Sequence, residues 1–220
     1  MANTTSTNLK LTVQATGENS GTWGQITNTN LLILEQAIGG YDAVGLNATT
    51  GATLTFSNGA LSNGKNQVIK LTGTITSNVD VVIPDSIEKT YIIENATSGA
   101  FTVTFKPTSG TGATWSTTDK GYKILYSNGT NIIDVMSNLG DITAAGHILP
   151  GANDTYDLGA SGNVWRNIYT GDLHLSNRYK EKGNIVDGTK GNWTLQEGEN
   201  DIFMINNISG EKFKINLSKI

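Results

Sequence analysis

The sequence predicts an all-β protein with one short helix. Short segments in which apolar and polar residues alternate recur at near-regular intervals along most of the chain, which is the pattern of half-buried strands. The chain has 26 Gly and is rich in Thr and Asn between those segments, and such residues form tight turns. Only one stretch has the spacing of an amphipathic helix, so long helices are not expected.

The first 40 residues are predicted to contain a strand followed by that helix. Apolar residues alternate with polar ones over 9–13, as in a half-buried strand. A polar stretch then leads into leucines and isoleucines at helical spacing, which predicts a short amphipathic helix over 30–38. Gly39 and Gly40 follow directly and offer a left-handed stop.

Residues 41–137 are predicted to form a β-sandwich-like domain, because seven alternating segments follow one another at the spacing of sandwich strands. The dipeptide Asn128-Gly129 separates the last two segments and predicts a tight type I′ hairpin. The segments are ATLTFS, QVIKLTGTI, VDVVIP, TYIIEN, AFTVTFK, GYKILYS and NIIDVM.

The remainder divides into a turn-rich module over 138–178 and a three-stranded meander over 179–220. The module carries large apolar side chains but is too short to bury them within one copy. The meander strands alternate, so one of its faces is expected to be apolar and to pack on something else, since a lone meander is marginal in water. That face would carry Trp193, Leu195, Phe203, Ile205, Phe213, Ile215 and Leu217.

The composition argues against several classes of protein. A net charge of -4 with scattered positive residues gives no basic surface for nucleic acid. The chain has no cysteine, so its stability comes from packing and pairing, which suits assembly in a reducing cytoplasm. The first residues lack the pattern of a signal peptide, and no apolar run is long enough for membrane insertion.

One motif resembles a phosphate-binding loop without meeting its requirements. Gly59-Ala-Leu-Ser-Asn-Gly64-Lys65 matches the first positions of that pattern, but Asn66 stands where a Ser or Thr hydroxyl would hold magnesium. The following stretch 67–72 alternates as a strand, and no helix N-terminus is expected there to meet the phosphates. The motif is therefore interpreted as a glycine-bearing loop, and no cofactor is expected.

No catalytic residue is assigned. The chain lacks a Gly-x-Ser-x-Gly elbow, and carboxylate pairs such as Asp154 with Asp157 fall in turns, where acidic residues are common. A glycan-cleaving pair stays open as an alternative, because the distance between two carboxylates cannot be read from a sequence.

His174 is a weak candidate metal ligand. It lies between Leu173 and Leu175, which would point to the other side of a strand. His147 is the only other histidine, so a zinc site would need copies of one histidine from several subunits, for example on a three-fold axis.

Trp115 is the candidate for contact with a receptor. It falls in the glycine-rich stretch 109–119, which is predicted as a loop, and exposed rings with small polar groups are typical of glycan recognition. The alternative interpretation is a tryptophan that caps the end of the sandwich.

The turn-rich module resembles a module that recurs in the tail fibres and related appendages of tailed bacteriophages. Three other parts of the chain resemble phage virion proteins: the loop 16–24 with its following helix, the order of motifs between Ile83 and Asn131, and the tail from Asn192. The residues of the module that carry the resemblance are Tyr156-Asp157-Leu158-Gly159, Trp165, Ile168-Tyr169, Gly171-Asp172-Leu173 and Ser176-Asn177.

The resemblance implies a non-enzymatic structural protein of a virion that forms a homotrimer and attaches to the host surface. Its partners would be further copies of itself, other virion proteins, and a host glycan or protein. Docking on the particle is expected through Trp23, Leu31, Leu34 and Ile38. The subunit interface is expected to include Trp165, Ile168, Tyr169, Trp193, Phe203 and Phe213.

Two alternatives remain open. A capsid decoration or knob protein of the head would share the composition and the modules. A carbohydrate-binding module of an enzyme assembly would instead need an exposed aromatic platform, for which Trp115 is the candidate.

Overall fold

A computed structural model describes residues 2–218 and divides the chain into two compact units, Met1–Ile142 and Thr143–Ile220. The all-β prediction is confirmed, since most regular structure is strand and one α-helix is present among the described residues. The predicted segment boundary at 137 lies near the division between the units, whereas those at 40 and 178 fall inside a unit.

The described residues of the N-terminal unit form eleven strands and helix α1. The chain passes through them in the order β1 (Thr4–Thr5), β2 (Thr12–Val13), α1 (Trp23–Gly39), β3 (Tyr41–Gly45), β4 (Ala52–Thr53), β5 (Val68–Thr72), β6 (Val79–Ile83), β7 (Glu88–Asn95), β8 (Val103–Pro107), β9 (Ala113–Trp115), β10 (Gly121–Asn128) and β11 (Ile132–Asp134).

Two sheets form the body of this unit. The five-stranded sheet has the order β11-β10-β7-β5-β3 and the four-stranded sheet the order β4-β6-β8-β9. Strands β3, β5 and β7 are mutually parallel, as are β4, β6 and β8. The chain therefore winds through three coils, visiting the two sheets alternately as in a solenoid. The expected sandwich-like domain does have two packed sheets, but its central strands are joined as coils rather than as hairpins.

The core lies between the two sheets. Inward residues alternate along each strand, so Ile69 and Leu71 of β5 face Val81 and Ile83 of β6 across a continuous cluster of buried side chains. The ring of Tyr91 meets that of Phe105 edge to face, with 5.2 Å between ring centroids. The parallel ladders thus bury one face of each sheet inside a single unit.

Helix α1 begins at Trp23, seven residues before the predicted start. The threonines of its first turns are accommodated because Thr27 donates to the Trp23 carbonyl at 2.9 Å, within the helix itself. Asn30 lies inside the helix and clamps β2 through two hydrogen bonds with the backbone of Thr12. The predicted left-handed stop is wrong, since Gly40 has φ of -69°. A side chain at Gly40 would instead collide with a helix carbonyl.

The predicted hairpin at Asn128-Gly129 is present, with β10 and β11 antiparallel and Ser127 paired with Ile132. The turn is not of type I′, which needs positive φ at both central residues. Gly129 has φ of 85°, whereas neither Asn128 nor Thr130 has positive φ. The Asn128 side-chain oxygen accepts hydrogen bonds from the backbone N–H groups of Thr130 and Asn131. An Asx turn therefore takes the place of the predicted type I′ turn.

In the C-terminal unit, the described residues form one four-stranded antiparallel sheet with the order β12-β13-β14-β15. The three meander strands are confirmed, and β12, from the turn-rich module, adds a fourth at the edge. Upstream of β12 this unit has only turns and one isolated bridge between Ala160 and Asn163. The strands are β12 (Asp172–Ser176), β13 (Asn192–Glu197), β14 (Ile202–Asn206) and β15 (Lys212–Ile215).

Lys89 is a buried lysine that ties helix α1 to the five-stranded sheet. Its Nζ donates to Gln67 Oε1 at 3.2 Å and lies 3.5 Å from the Ala37 carbonyl near the helix C-terminus. The ammonium also lies 4.6 Å from the centroid of the Tyr91 ring. Burial lowers the pKa of Lys89 from 10.5 to about 8, because the charged form loses hydration.

We expect the free energy of unfolding to rise between pH 8 and about 10. In that window the unfolded chain keeps a proton on Lys89 that the folded chain has lost, so raising the pH favours folding. The shift corresponds to at most about 3 kcal/mol, and about 1–2 kcal/mol is expected because hydrogen bonds partly compensate the buried charge. Above pH 10 the trend should reverse, since burial raises the pKa of Tyr91 and only the unfolded chain releases that proton.

Urea unfolding at pH 7, 9 and 10 measures this dependence, with Lys89→Met as the matched control. Lys65 is also buried and its pKa is lowered by burial and by Lys10, so it adds a change of the same sign. The difference between the two proteins therefore reports on Lys89. Identical pH profiles for both would contradict the assignment.

Candidate interaction surfaces

Helix α1 has an exposed apolar stripe. Ile33 is fully buried against the unit, whereas Leu31, Leu34 and Ile38 recur at helical spacing on another side and are exposed. Trp23 is the first residue of the helix, lies on the same side and is also exposed. The four residues predicted for docking on the particle thus lie exposed along one side of the helix, and their role in docking stays a prediction.

The turn-rich module buries none of its apolar side chains. Every residue from 143 to 176 is exposed, and the indole of Trp165 is 61% and the ring of Tyr169 93% accessible. The indole of Trp165 lies beside Gly159, where a Cβ would come 3.4 Å from Trp165 Cδ1. Ile168 is exposed as well. These three predicted interface residues are therefore free in a single chain.

The sheet of the C-terminal unit has one apolar face. Leu173, Leu195, Met204 and Phe213 pair across all four strands and share this face. Trp193 lies on it too, with its ring centroid 5.6 Å from that of Phe213. Contacts between these side chains come from neighbouring strands of the same sheet, and Leu173 and Phe213 stay exposed.

Phe203 is placed differently from the prediction. It pairs with Gln196 and Lys214, so it lies on the opposite face from Trp193 and Phe213. The segment DIFMINN has apolar residues at both alternating sets of positions, and the alternation alone therefore does not select a face. The hydrogen-bond register places Met204 on the apolar face, which the alternation did not predict, and places Ile205 with Phe203 on the opposite face, which corrects its predicted position.

His174 lies on the face opposite Leu173 and Leu175, as predicted. Its Nδ1 is 2.9 Å from Thr194 Oγ1, which also accepts a hydrogen bond from the Asn207 side chain. Among residues 2–218 no three His, Cys, Asp or Glu side chains lie close enough together to hold a metal ion. A metal at His174 would thus need ligands from other copies of the chain.

Trp115 is buried, which corrects the prediction that it contacts a receptor. The stretch 109–119 contains strand β9, and Trp115 of that strand has no accessible surface. Its indole N–H donates to the Gly121 carbonyl at 3.1 Å, so the polar part of the ring is satisfied inside the fold. The sequence signal was the alternation of apolar Ala113, polar Thr114 and apolar Trp115, and the structure buries the two apolar residues.

The loop that resembles a phosphate-binding motif is held by its own lysine. Lys65 is fully buried, and its Nζ donates to the carbonyls of Ser57 and Ala60, each at 2.6 Å. The residues after it form strand β5, as predicted, rather than a helix. Lys65 therefore stabilises the loop by binding its backbone carbonyls.

A groove of about 560 Å³ lies beside Trp193 in the C-terminal unit, but its polar side chains are engaged with one another. Asn184 Nδ2 donates to Asp187 Oδ1 at 2.6 Å. The pKa of Asp187 is lowered by the hydrogen bonds that its carboxylate accepts. The largest effect comes from the backbone N–H of Thr189, followed by the Thr189 hydroxyl and the Asn184 side chain. The Asp187 carboxylate therefore stays ionised and stabilises its own loop, so it is not suited to donate a proton.

Among residues 2–218, no helix has both the length and the apolar character that crossing a membrane requires. Comparison with known proteins gave no match to a family model, to a curated protein or to a solved structure.

Proposed function

We propose that this chain is a non-enzymatic structural subunit of a phage virion, a homotrimeric tail-fibre or appendage protein that takes part in attachment to the host. One observation carries the proposal: the C-terminal unit exposes large apolar side chains along the whole of 143–176 and over one face of its sheet. Exposed apolar surface of this extent is typical of an interface between chains.

Association of identical copies accounts for that surface. Trp165, Ile168 and Tyr169 would pack against their counterparts, and the apolar sheet face with Trp193 and Phe213 would be covered in the same assembly. A closed ring of three copies leaves no unpaired apolar patch, whereas an open contact would grow into filaments. The trimer itself follows from the resemblance to phage fibres.

The stripe on helix α1 is a separate surface and suits docking on another virion protein. Its side chains are apolar and uncharged, and Trp23 and Ile38 at its ends are the most exposed of the four. Large aromatic and aliphatic side chains of this kind commonly act as anchors in protein interfaces. Attachment through Trp115 is no longer part of the proposal, because that ring is buried.

Labelling of intact particles tests the assignment to a virion appendage. Antibodies raised against the purified chain would be applied to purified phage and imaged by electron microscopy, with antibodies against a head protein as the control. We expect label on the tail or its appendages. Label on the heads would favour the capsid decoration protein, and particles without label would contradict a virion role.

A further inference from the structure

The tripeptide Ser-Asn-Gly occurs three times in the chain, at Ser57-Asn58-Gly59, Ser62-Asn63-Gly64 and Ser127-Asn128-Gly129. An asparagine followed by glycine is the sequence in which a backbone nitrogen most readily attacks the side-chain amide before it, because glycine has no Cβ to obstruct the approach. The three sites share their local sequence, so the fold decides which of them reacts.

At two of these sites the glycine amide is held by a hydrogen bond. Gly59 N donates to the Lys10 carbonyl at 2.7 Å, and Gly64 N donates to the Thr55 carbonyl at 3.1 Å. Asn63 Oδ1 also accepts the N–H and the hydroxyl of Thr55, so this site is bound to Thr55 on both sides of the peptide. A nitrogen held in this way must break its hydrogen bond before it attacks a neighbouring carbon.

The amide of Gly129 has no such partner. Among residues 2–218 its N–H donates to no protein atom, although its carbonyl accepts the Ser86 N–H at 2.8 Å. The exposure of this site matches that of the first one, since Asn58 and Asn128 are both exposed and the glycines after them are both half-buried. The hydrogen bond of the glycine amide, and not accessibility, therefore distinguishes Asn128 from Asn58.

The Asn128 side chain is folded towards the Gly129 amide. Its Oδ1 accepts hydrogen bonds from the backbone N–H groups of Thr130 at 3.0 Å and Asn131 at 2.8 Å. These bonds hold the side chain over the peptide that follows it, which contains the Gly129 nitrogen. They also place two donors on the oxygen that becomes negatively charged when a nucleophile adds to the side-chain carbonyl.

A carboxylate lies beside the same amide. Glu88 is the cross-strand partner of Asn128, and of the described residues that line a cavity of about 480 Å³ at this turn it is the one ionisable residue. A Cβ at Gly129 would come 3.8 Å from Glu88 Oε1. The Glu88 carboxylate is therefore close enough to accept the proton of the Gly129 amide directly or through one water.

We propose that Asn128 is a self-modification site, at which the chain loses the side-chain amide without an enzyme. The Gly129 nitrogen gives its proton to Glu88 or to water and attacks Asn128 Cγ, so a new C–N bond forms. The bond between Cγ and Nδ2 breaks, Nδ2 takes up one proton and leaves as ammonia, and a five-membered succinimide ring remains. Water then opens this ring at either carbonyl and gives aspartate or isoaspartate, with no oxidant or reductant involved.

The modification would weaken the hairpin of β10 and β11. Either product carries a carboxylate opposite Glu88 in the sheet, and like charges at paired positions are destabilising. Isoaspartate also adds one backbone carbon before Gly129, which disturbs the hydrogen bond from Asn128 N to the Asn131 carbonyl. The hairpin would thus loosen as the protein ages, and the inference does not depend on the proposed virion role.

The rates of deamidation at the three sites test the inference in the full-length chain. The purified protein would be incubated at neutral pH, and peptides from successive samples would be analysed by tandem mass spectrometry, which localises each conversion. We expect Asn128 to react at least about fivefold faster than Asn58 and Asn63, because its glycine amide has no hydrogen bond to break. In concentrated urea all three should react at similar rates, since the unfolded chain leaves only the shared tripeptide.

Two outcomes would overturn the inference. In the folded chain, a reaction at Asn58 or Asn63 as fast as that at Asn128 would refute the selection of this site. An equal preference for Asn128 in urea would show that flanking residues, and not the fold, cause it.

Glu88→Gln tests the part played by the carboxylate, because it preserves the shape of the side chain and removes its charge. Circular dichroism would first show that the variant is folded. The reaction at Asn128 should become severalfold slower, whereas the rate at Asn58 should stay the same. An unchanged rate at Asn128 would contradict the role of Glu88 as the proton acceptor.

Discussion

Trp115→Ala should lower the free energy of unfolding of the N-terminal unit by about 3–5 kcal/mol. The side chain is fully buried at the edge of the core, and its removal leaves a cavity between the two sheets. The substitution also leaves the Gly121 carbonyl without the hydrogen bond from the indole. The Nζ of Lys123, which lies 5.7 Å from the ring centroid, would lose that neighbour as well.

Denaturant unfolding followed by circular dichroism measures this loss, with Thr114→Ala as the control on the exposed side of the same strand. The control should cost less than about 1 kcal/mol, since exposed substitutions rarely cost more. A stable Trp115→Ala protein that had lost only its binding to cells would restore the receptor interpretation.

Phe213→Asp should convert the assembled protein to monomers at micromolar concentration. Phe213 lies on the apolar face of the C-terminal sheet next to Trp193, and there a carboxylate would have to be desolvated in every subunit of the assembly. The lost apolar burial alone is worth about 1.5–3 kcal/mol per subunit. Sedimentation velocity at several concentrations measures the change.

Phe203→Asp is the matched control, because it makes the same substitution on the opposite face of the sheet. Its cross-strand neighbour is Lys214, which would stand opposite the new carboxylate. We expect this variant to remain assembled. If Phe203→Asp dissociated and Phe213→Asp did not, the assignment of the two faces would be reversed.

Several strands could be located from the sequence, because alternation and turn residues are local signals, whereas β3 and β9 were not predicted. Segments around β5, β7 and β10 were recognised in this way. The sequence does not predict which strands pair with one another, because β3 pairs with β5 and β5 with β7 in parallel across long connections. Sequence spacing alone does not distinguish such coils from the hairpins of a sandwich.

The errors at particular residues have similar causes. Trp115 was assigned to a loop because its strand is only three residues long and follows several glycines. The predicted helix is shorter than α1 because threonine and asparagine are poor helix formers. In the folded chain, tertiary hydrogen bonds such as that between Asn30 and Thr12 outweigh this preference. The apolar row on the outer face of the five-stranded sheet cannot be predicted from the sequence, because it exists only once the parallel register brings Tyr41, Val68 and Ile92 together.

The mass of the full-length chain in solution tests the central claim most directly. Multi-angle light scattering should give three times the 23.4 kDa of one chain, about 70 kDa, and the mass should persist on dilution to micromolar concentration. Tryptophan fluorescence of Trp165, which is exposed in one chain, should then be protected from a soluble quencher. A mass of 23.4 kDa would contradict the claim that copies of this chain cover its apolar surfaces.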